Sequence, residues 1–265
     1  MKKLFKSILP LSIYERLRKY FWSIRHYLSV RGPVTITMPE FPHRNFNLRG
    51  VGANSTMDRS IWIYGLYEPF MVSRITRVTS SHDTFFDIGA GIGYYSKLFS
   101  EIICSDRVTA FEPENHNLRF LRRNVDRRVQ VVEKFVTGGS NSASQISLDT
   151  FIAKNDEPTV IKMDIEGREA DIIIGSDYIK EYRPRMFVEI HPSLINQINP
   201  KYLEKMFDRL FSIYTVEFVR NHWGSVKTPS PLSVIDEPGC YDWGLADHDN
   251  LITISKDIIH RNIQP

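Results

Sequence analysis

Cysteine is nearly missing. The 265 residues contain two, Cys104 and Cys240. Two thiols cannot build a disulfide framework, so a reducing, cytoplasmic setting is the expectation. No apolar run reaches the roughly 18 residues that a membrane-spanning helix needs. The eight histidines are scattered, without a close His/Cys pair at ligand spacing, so no structural zinc site is expected, and Asp164-x-Glu166 alone is a weak metal signal. The early stretch ILPLSIY is interrupted by Pro10 and Ser12 and has no A-x-A site, which disfavours a secretory signal. Also missing are the phosphate-loop pattern G-x-x-x-x-G-K-[ST] and any [DNS]-P-P-[YFW] stretch. What remains is ordinary globular composition, 42% hydrophobic and 25% charged.

The net charge of +3 is uneven. The first thirty residues hold seven Lys/Arg and one acid, Glu15, which leaves 27 basic against 30 acidic residues in the remainder. A nucleic-acid binder spreads its basic charge over the domain face, so no nucleic-acid partner is expected. Ser12 and Glu15 form an S-x-x-E capping box, and Ile13, Leu17, Tyr20, Phe21, Ile24 and Leu28 recur at helical spacing. Such a basic amphipathic helix either packs on the domain with its charges exposed or lies on an anionic membrane surface as a peripheral contact. Residues 31–65 are turn-rich and read as a connector or small β element. Glu68 to Thr79 reads as a helix.

From His82 the rhythm changes. TFFDI, RVTAFE, VQVVEKFV, TVIKMDI and RMFVEIH are short apolar runs, separated by helical segments near Tyr94–Ile102, Glu114–Val125 and Arg168–Ile174. A further helix is expected over Leu203–Leu210, then late strands IYTVEFV and NLITIS. Alternating strands and helices imply an α/β fold, a mostly parallel sheet covered on both faces. The last two strands lack an intervening helix and are expected to form an antiparallel hairpin. The expected layout is an arm over 1–30, the connector over 31–65 and a cofactor-binding domain over 66–260.

The stretch DIGAGIGYYS places Gly89, Gly91 and Gly93 directly behind the first strand. In open parallel sheets ligands bind outside the carboxyl ends of strands. A dinucleotide needs G-x-G-x-x-G, but the third position counted from Gly89 is Tyr94, which disfavours NAD(P). S-adenosylmethionine (SAM) carries a sulfonium, favoured by carboxylates and aromatic faces. Asp87, Tyr94 and Tyr95 fit that chemistry. The second strand ends in Ala110-Phe111-Glu112-Pro113, where an acid can accept ribose hydroxyls and Pro113 suits the next helix start.

DIGAGIGYYSKLFS, TAFEPENHNLRFL, SLDTF, IKMDIEGREADIIIG and MFVEIHP, in that order, resemble the FkbM-type SAM-dependent methyltransferases over roughly residues 68–192. The resemblance implies a Rossmann-like class I methyltransferase fold and SAM as cofactor. It places Asp87, Gly89 and Gly91 along the cofactor, with Glu112 on the ribose. Glu68, Ala90, Tyr94, Pro113 and Asp164 complete the expected cofactor set. Asp164, Glu166 and Glu169 match the family's acidic motif.

For a hydroxyl acceptor, a base that takes the proton is expected. The candidates are Asp164 at the fourth strand's end and Glu189 and His191, two apart on the fifth. His191 can equally be a structural histidine, and Glu166 and Glu169 can simply favour a helix start. Asp149 reads as a cap or as part of the site. Glu166, His222 and Trp223 are the expected acceptor contacts, with Tyr241 and Trp243 as further stacking candidates. The acceptor class is a sugar or glycan hydroxyl or a secondary metabolite. Two other readings stay open, a non-catalytic module in a membrane-associated assembly and an NAD-dependent oxidoreductase.

Overall fold

A computed structural model describes residues 34–37, 45–52, 55–219 and 243–247 of the chain. The expected N-terminal helix, His222, Trp223, Tyr241 and the strand NLITIS lie outside these residues.

Eleven strands are present among the described residues. They are β1 (Val34–Thr37), β2 (Asn45–Leu48), β3 (Phe85–Ile88), β4 (Val108–Phe111), β5 (Gln130–Val132), β6 (Phe135–Thr137), β7 (Gln145–Ser147), β8 (Val160–Met163), β9 (Arg185–Val188), β10 (Thr215–Val219) and β11 (Trp243–Asp247). Seven of them form one sheet in the order β10-β11-β9-β8-β3-β4-β5. The pairs from β5 through β9 are all parallel. β11 runs antiparallel to both β9 and β10. A late antiparallel pair is therefore present, with Trp243–Asp247 inserted between β9 and the edge strand β10, while the expected partner NLITIS lies outside the described residues.

β3, β4 and β8 are buried at every position, as parallel strands covered on both faces must be. The alternation of strand side chains separates two cores. Phe86, Ile88, Phe111, Ile161, Met163 and Val188 pack with the helices Glu169–Gly175 and Tyr202–Ile213 on one face. Phe85, Val108, Ala110, Val160 and Phe187 face the helices Pro69–Val78 and Tyr94–Ser100 on the other.

One expectation needs correction here. VQVVEKFV is not one strand. Glu133 and Lys134 break it, and β6 leaves the main sheet to pair with β7. The segment expected as a connector or small β element holds the β1–β2 pair and, in addition, a helix, Thr56–Tyr64, started by Ser55, whose side chain accepts from the Asp58 amide. Its β1–β2 pair also belongs to the second core, because Ile36, Phe46 and Leu48 are buried there. Asn124 ties this region down by donating to the carbonyls of Arg49 and Ile92.

The opposite end of the sheet from the site is held by Asp83. Its carboxylate accepts from Thr159, from the Ser80 amide and from the Arg185 guanidinium, 2.6 Å away in each case. Burial alone would raise its pKa, but these donors outweigh it and hold the carboxyl below the usual range. Among the described residues no helix is long and apolar enough to cross a membrane.

Candidate active site

Strand order reverses between β3 and β8, and the loops after these strands form the floor of a cavity of about 450 Å³. That volume lies within the usual range for small-molecule sites. Gly89, Gly91, Glu112, Pro113, Asp164 and Glu166 line it, all of them expected from sequence. Phe135, Lys134, Arg168 and Asn117 line it as well and were not foreseen. Phe135 stands half-exposed on the wall, with the Arg168 guanidinium 5.9 Å from its ring centre. It escaped notice because the run EKFV reads as buried strand until the break before β6 is known.

The glycines do different jobs. A Cβ on Gly89 would sit 1.9 Å from the Asp164 carbonyl oxygen, so this position lets β3 and β8 loops meet. A Cβ on Gly93 would strike Leu121 at 2.6 Å, a helix-packing constraint. Only at Gly91, with φ +55°, would a Cβ meet nothing within 4 Å. Gly91 alone of the three leaves open space on the cavity side.

Glu112 braces this turn. One carboxylate oxygen accepts from the Gly91 amide and the other from the Glu114 amide, each at 2.8 Å. The Asn117 side chain donates to the carboxylate as well, so of its roughly four lone-pair sites about one is left for a ligand hydroxyl. Burial raises the Glu112 pKa, with the backbone donors opposing the shift. The amides of Gly89 and Ala90 both donate to the Phe111 carbonyl, and the Gly93 amide to Ala90, so most of the turn is internally bonded.

Four expected cofactor contacts stand elsewhere. Ala90 is buried behind the turn and does not line the cavity. Tyr94 packs edge-on against Tyr67 and Tyr95, and its hydroxyl donates to the Tyr67 carbonyl. Tyr95 is buried as well, so both tyrosines pack inside the domain. Glu68 is buried with a left-handed backbone, φ +47°, and receives the Tyr95 hydroxyl. Asp87 is fully buried beneath the cavity and does not line it.

Asp87 instead faces Lys162, the most informative residue that sequence reading missed. The two are register neighbours on β3 and β8. Lys162 Nζ lies 3.8 Å from Asp87 Oδ1, 3.6 Å from Asp164 Oδ2 and 5.1 Å from the Tyr95 ring centre. Burial would lower its pKa, but the charges of Asp164, Asp87, Glu68 and Glu189 outweigh that and raise it. Asp87 Oδ2 accepts from Ser96 at 2.6 Å, while Oδ1 has no hydrogen-bond partner. Burial raises the Asp87 pKa against the pull of Lys162 and Ser96. A lysine in the middle of an apolar strand, two residues before Asp164, was the available signal, since period two puts both on one face.

Asp164 also connects the cavity to a second group of side chains. Its Oδ1 lies 3.9 Å from His191 Nε2, and Glu189 Oε1 lies 3.8 Å from the same nitrogen. One donor atom from each of these three residues falls within 4.8 Å of the others. The structure thus brings Asp164, Glu189 and His191 together, as their placement on neighbouring strand ends implied. On the far side of the ring, His191 Nδ1 lies 2.9 Å from Glu169 Oε1. Glu169 is fully buried, and the same oxygen accepts from the amides of Ile165 and Gly167. These bonds hold a turn in which Glu166 is left-handed, φ +51°. A non-glycine residue there costs of order 1–3 kcal/mol and persists only where its surroundings fix it. Burial would lower the His191 pKa, but the Glu169 hydrogen bond and the charges of Glu169, Asp164 and Glu166 raise it overall.

Asp149 settles on the capping role. Its carboxylate accepts from Ser176 and from the amides of Asp177 and Tyr178, at the start of the helix Asp177–Tyr182.

The family model described as "Methyltransferase FkbM domain" matches residues 132–215. The matched span is about a third of the chain and carries Asp164, Glu166, Glu169, Glu189 and His191. The glycine turn and Glu112 precede it. No curated protein matches the chain. Among solved structures, the precorrin-6y C5,15-methyltransferase of Geobacter metallireducens is 17% identical with a TM-score of 0.41, covering 68% of this chain and 86% of that one. An rRNA methylase from Streptococcus thermophilus is 8% identical with a TM-score of 0.40, covering 68% and 95%. The Pyrococcus abyssi tRNA (uracil-54, C5)-methyltransferase, solved with S-adenosyl-L-homocysteine, is 11% identical with a TM-score of 0.41, covering 81% and 43%.

Proposed function

We propose that the chain is a SAM-dependent methyltransferase that acts on a hydroxyl oxygen of a sugar, glycan or related secondary metabolite. The observation that carries this reading is the junction at Asp164. One side of that residue lines the cavity behind the glycine turn, and the other faces Glu189 and His191.

The cavity residues suit SAM. Gly91 leaves open space where any side chain would intrude, and Glu112 keeps a lone pair for a ribose hydroxyl. Gly89, Pro113 and Asp164 would form the rest of the contact surface, with Phe135 as an apolar wall. When bound, SAM supplies an electrophilic methyl group on a sulfonium, a cation that the carboxylates around Lys162 favour. The chain's own work is then to hold an acceptor in line and to take its proton. Asp164, Glu189 and His191 are the groups within reach of that proton. Glu169 keeps the His191 ring in place. Glu166, exposed at the cavity mouth, is the acceptor contact among the described residues. His222 and Trp223 remain expected acceptor contacts from sequence.

The test is transfer of labelled methyl from SAM to a panel of hydroxylated acceptors beside their amine counterparts. Label entering the hydroxyl compounds as an alkali-stable ether is the expected result. Label confined to nitrogen or carbon would overturn the oxygen assignment.

A further inference from the structure

The three donor atoms beside the cavity stand in an arrangement that a proton-accepting role alone does not require. Asp164 Oδ1, Glu189 Oε1 and His191 Nε2 converge on one point, yet the nitrogen is 3.9 and 3.8 Å from the two oxygens, beyond hydrogen-bond reach. Metal–ligand bonds of about 2.0–2.2 Å place neighbouring donors roughly 3–3.6 Å apart. The three atoms lie within 4.8 Å of one another, so side-chain rotations would bring them to that spacing. We propose that Asp164, Glu189 and His191 form a binding site for a divalent transition-metal cation at the acceptor side of the cavity.

Two independent features support the site. The first is the outer partner of the imidazole. Histidines that bind metals commonly turn their second nitrogen toward a carboxylate, which fixes the ring and its tautomer. Glu169 does this to His191 Nδ1 at 2.9 Å, and it is itself fixed by the Ile165 and Gly167 amides. With the proton held on Nδ1, Nε2 presents a lone pair between two carboxylate oxygens. The second is the charge count around the site. Asp164, Asp87, Glu68 and Glu189 act on one ammonium group, Lys162, while Glu169 stands behind His191, and the two oxygens of Asp164 divide between the two groups. Oδ2 faces the ammonium and Oδ1 faces the imidazole. A second cation at the imidazole side balances the set.

One imidazole with two carboxylates suits an ion such as Mn²⁺ or Zn²⁺ rather than one that prefers oxygen ligands alone. Three protein ligands leave coordination positions open. An acceptor hydroxyl there would become more acidic. A second oxygen on the adjacent carbon would complete a chelate, so vicinal diols and hydroxy acids are the acceptor class this site favours. This role rests on the hydroxyl-acceptor reading above, whereas the binding of the ion can be measured without it.

The measurement is titration of the chelator-treated full chain with Mn²⁺, followed by the loss of the free-ion electron paramagnetic resonance signal. S-adenosylhomocysteine binding is measured by calorimetry on the same samples. One bound ion per chain is expected, with binding abolished or severely weakened in Glu189→Gln and in His191→Ala. Glu169→Gln should weaken it by about 10- to 100-fold, the usual effect of removing a carboxylate behind a ligating histidine. All three variants should still bind S-adenosylhomocysteine, which shows that they are folded. Mn²⁺ that stays free while S-adenosylhomocysteine binds would overturn the metal site and leave the methyltransferase reading intact. Equal Mn²⁺ binding in wild type and all three variants would overturn it too, by placing the ion elsewhere. Mn²⁺ binding without any S-adenosylhomocysteine binding would support the ion site and count against the cofactor.

Discussion

Asp164→Asn should slow methyl transfer by about 10²- to 10⁴-fold while leaving the affinity for S-adenosylhomocysteine within a few-fold. The rate effect is the usual size for loss of a positioned acid–base group. The substitution keeps the shape and one oxygen acceptor, so the cavity wall survives. What it removes is the negative charge that faces both Lys162 and His191. If a cation sits at His191, the same change deletes a ligand, and the loss falls on turnover rather than on cofactor affinity. The check is the labelled-methyl assay at saturating SAM, beside calorimetry on the same preparation. An undiminished turnover number would remove Asp164 from the chemistry.

The second large effect is on stability. Lys162→Met should destabilise the fold by about 3–5 kcal/mol, the range for breaking a buried ion pair by removing one partner. The methionine fills a similar volume, so packing is not the main loss. The loss is electrostatic, because Asp87 stays fully buried with only Ser96 as a close donor. Its pKa is already raised by burial, and the missing ammonium would raise it further. With the folded-state pKa raised, the penalty is absent below the unfolded-state pKa, grows as pH rises from there and is complete above the folded-state pKa. The destabilisation should therefore be largest at neutral pH and shrink as pH falls and Asp87 takes up a proton. Adding Asp87→Asn to Lys162→Met should recover part of the stability, a coupling that a double-mutant cycle measures. Denaturant unfolding at two pH values reads both effects. A pH-independent loss would assign Lys162 a packing role instead.

Why some of this was legible in the sequence and some was not follows from the local physics. β3, β4, β8 and β9 announce themselves because strands covered on both faces need uninterrupted apolar runs. The glycine turn and Glu112 were legible because few residue patterns place three glycines behind such a strand. β11, with the sequence WGLAD, has little intrinsic strand preference. It forms by pairing on both sides, with β9 and β10, which no local pattern reveals. The split between β5 and β6 was hidden because VQVVEKFV keeps strand-like composition across the break. The helix Thr56–Tyr64 had its signal in Ser55, but the surrounding turn residues outweighed it.

The site divides in the same way. Asp164, Glu189 and His191 were readable from strand ends and period two. The roles of Glu169 and Glu68 were not, because both depend on contacts between distant segments. Glu169 looked like a helix-start acid and proves to be the partner of His191. Glu68 looked like a cofactor contact and proves to be the partner of Tyr95. Lys162 could have been found. A charged residue at the centre of a buried strand demands an opposite charge nearby, and Asp87 on the neighbouring strand was the obvious candidate.

The most direct test of the account is calorimetric titration of the full chain with SAM, beside NADH, in wild type and in Glu112→Ala. Saturable SAM binding is expected, with about 10- to 100-fold lower affinity in the variant, the usual consequence of leaving ligand hydroxyls opposite a missing charged acceptor. NADH should not bind. Failure of SAM to bind a folded chain, or NADH binding in its place, would contradict the central claim that the cavity behind Gly91 is a SAM site.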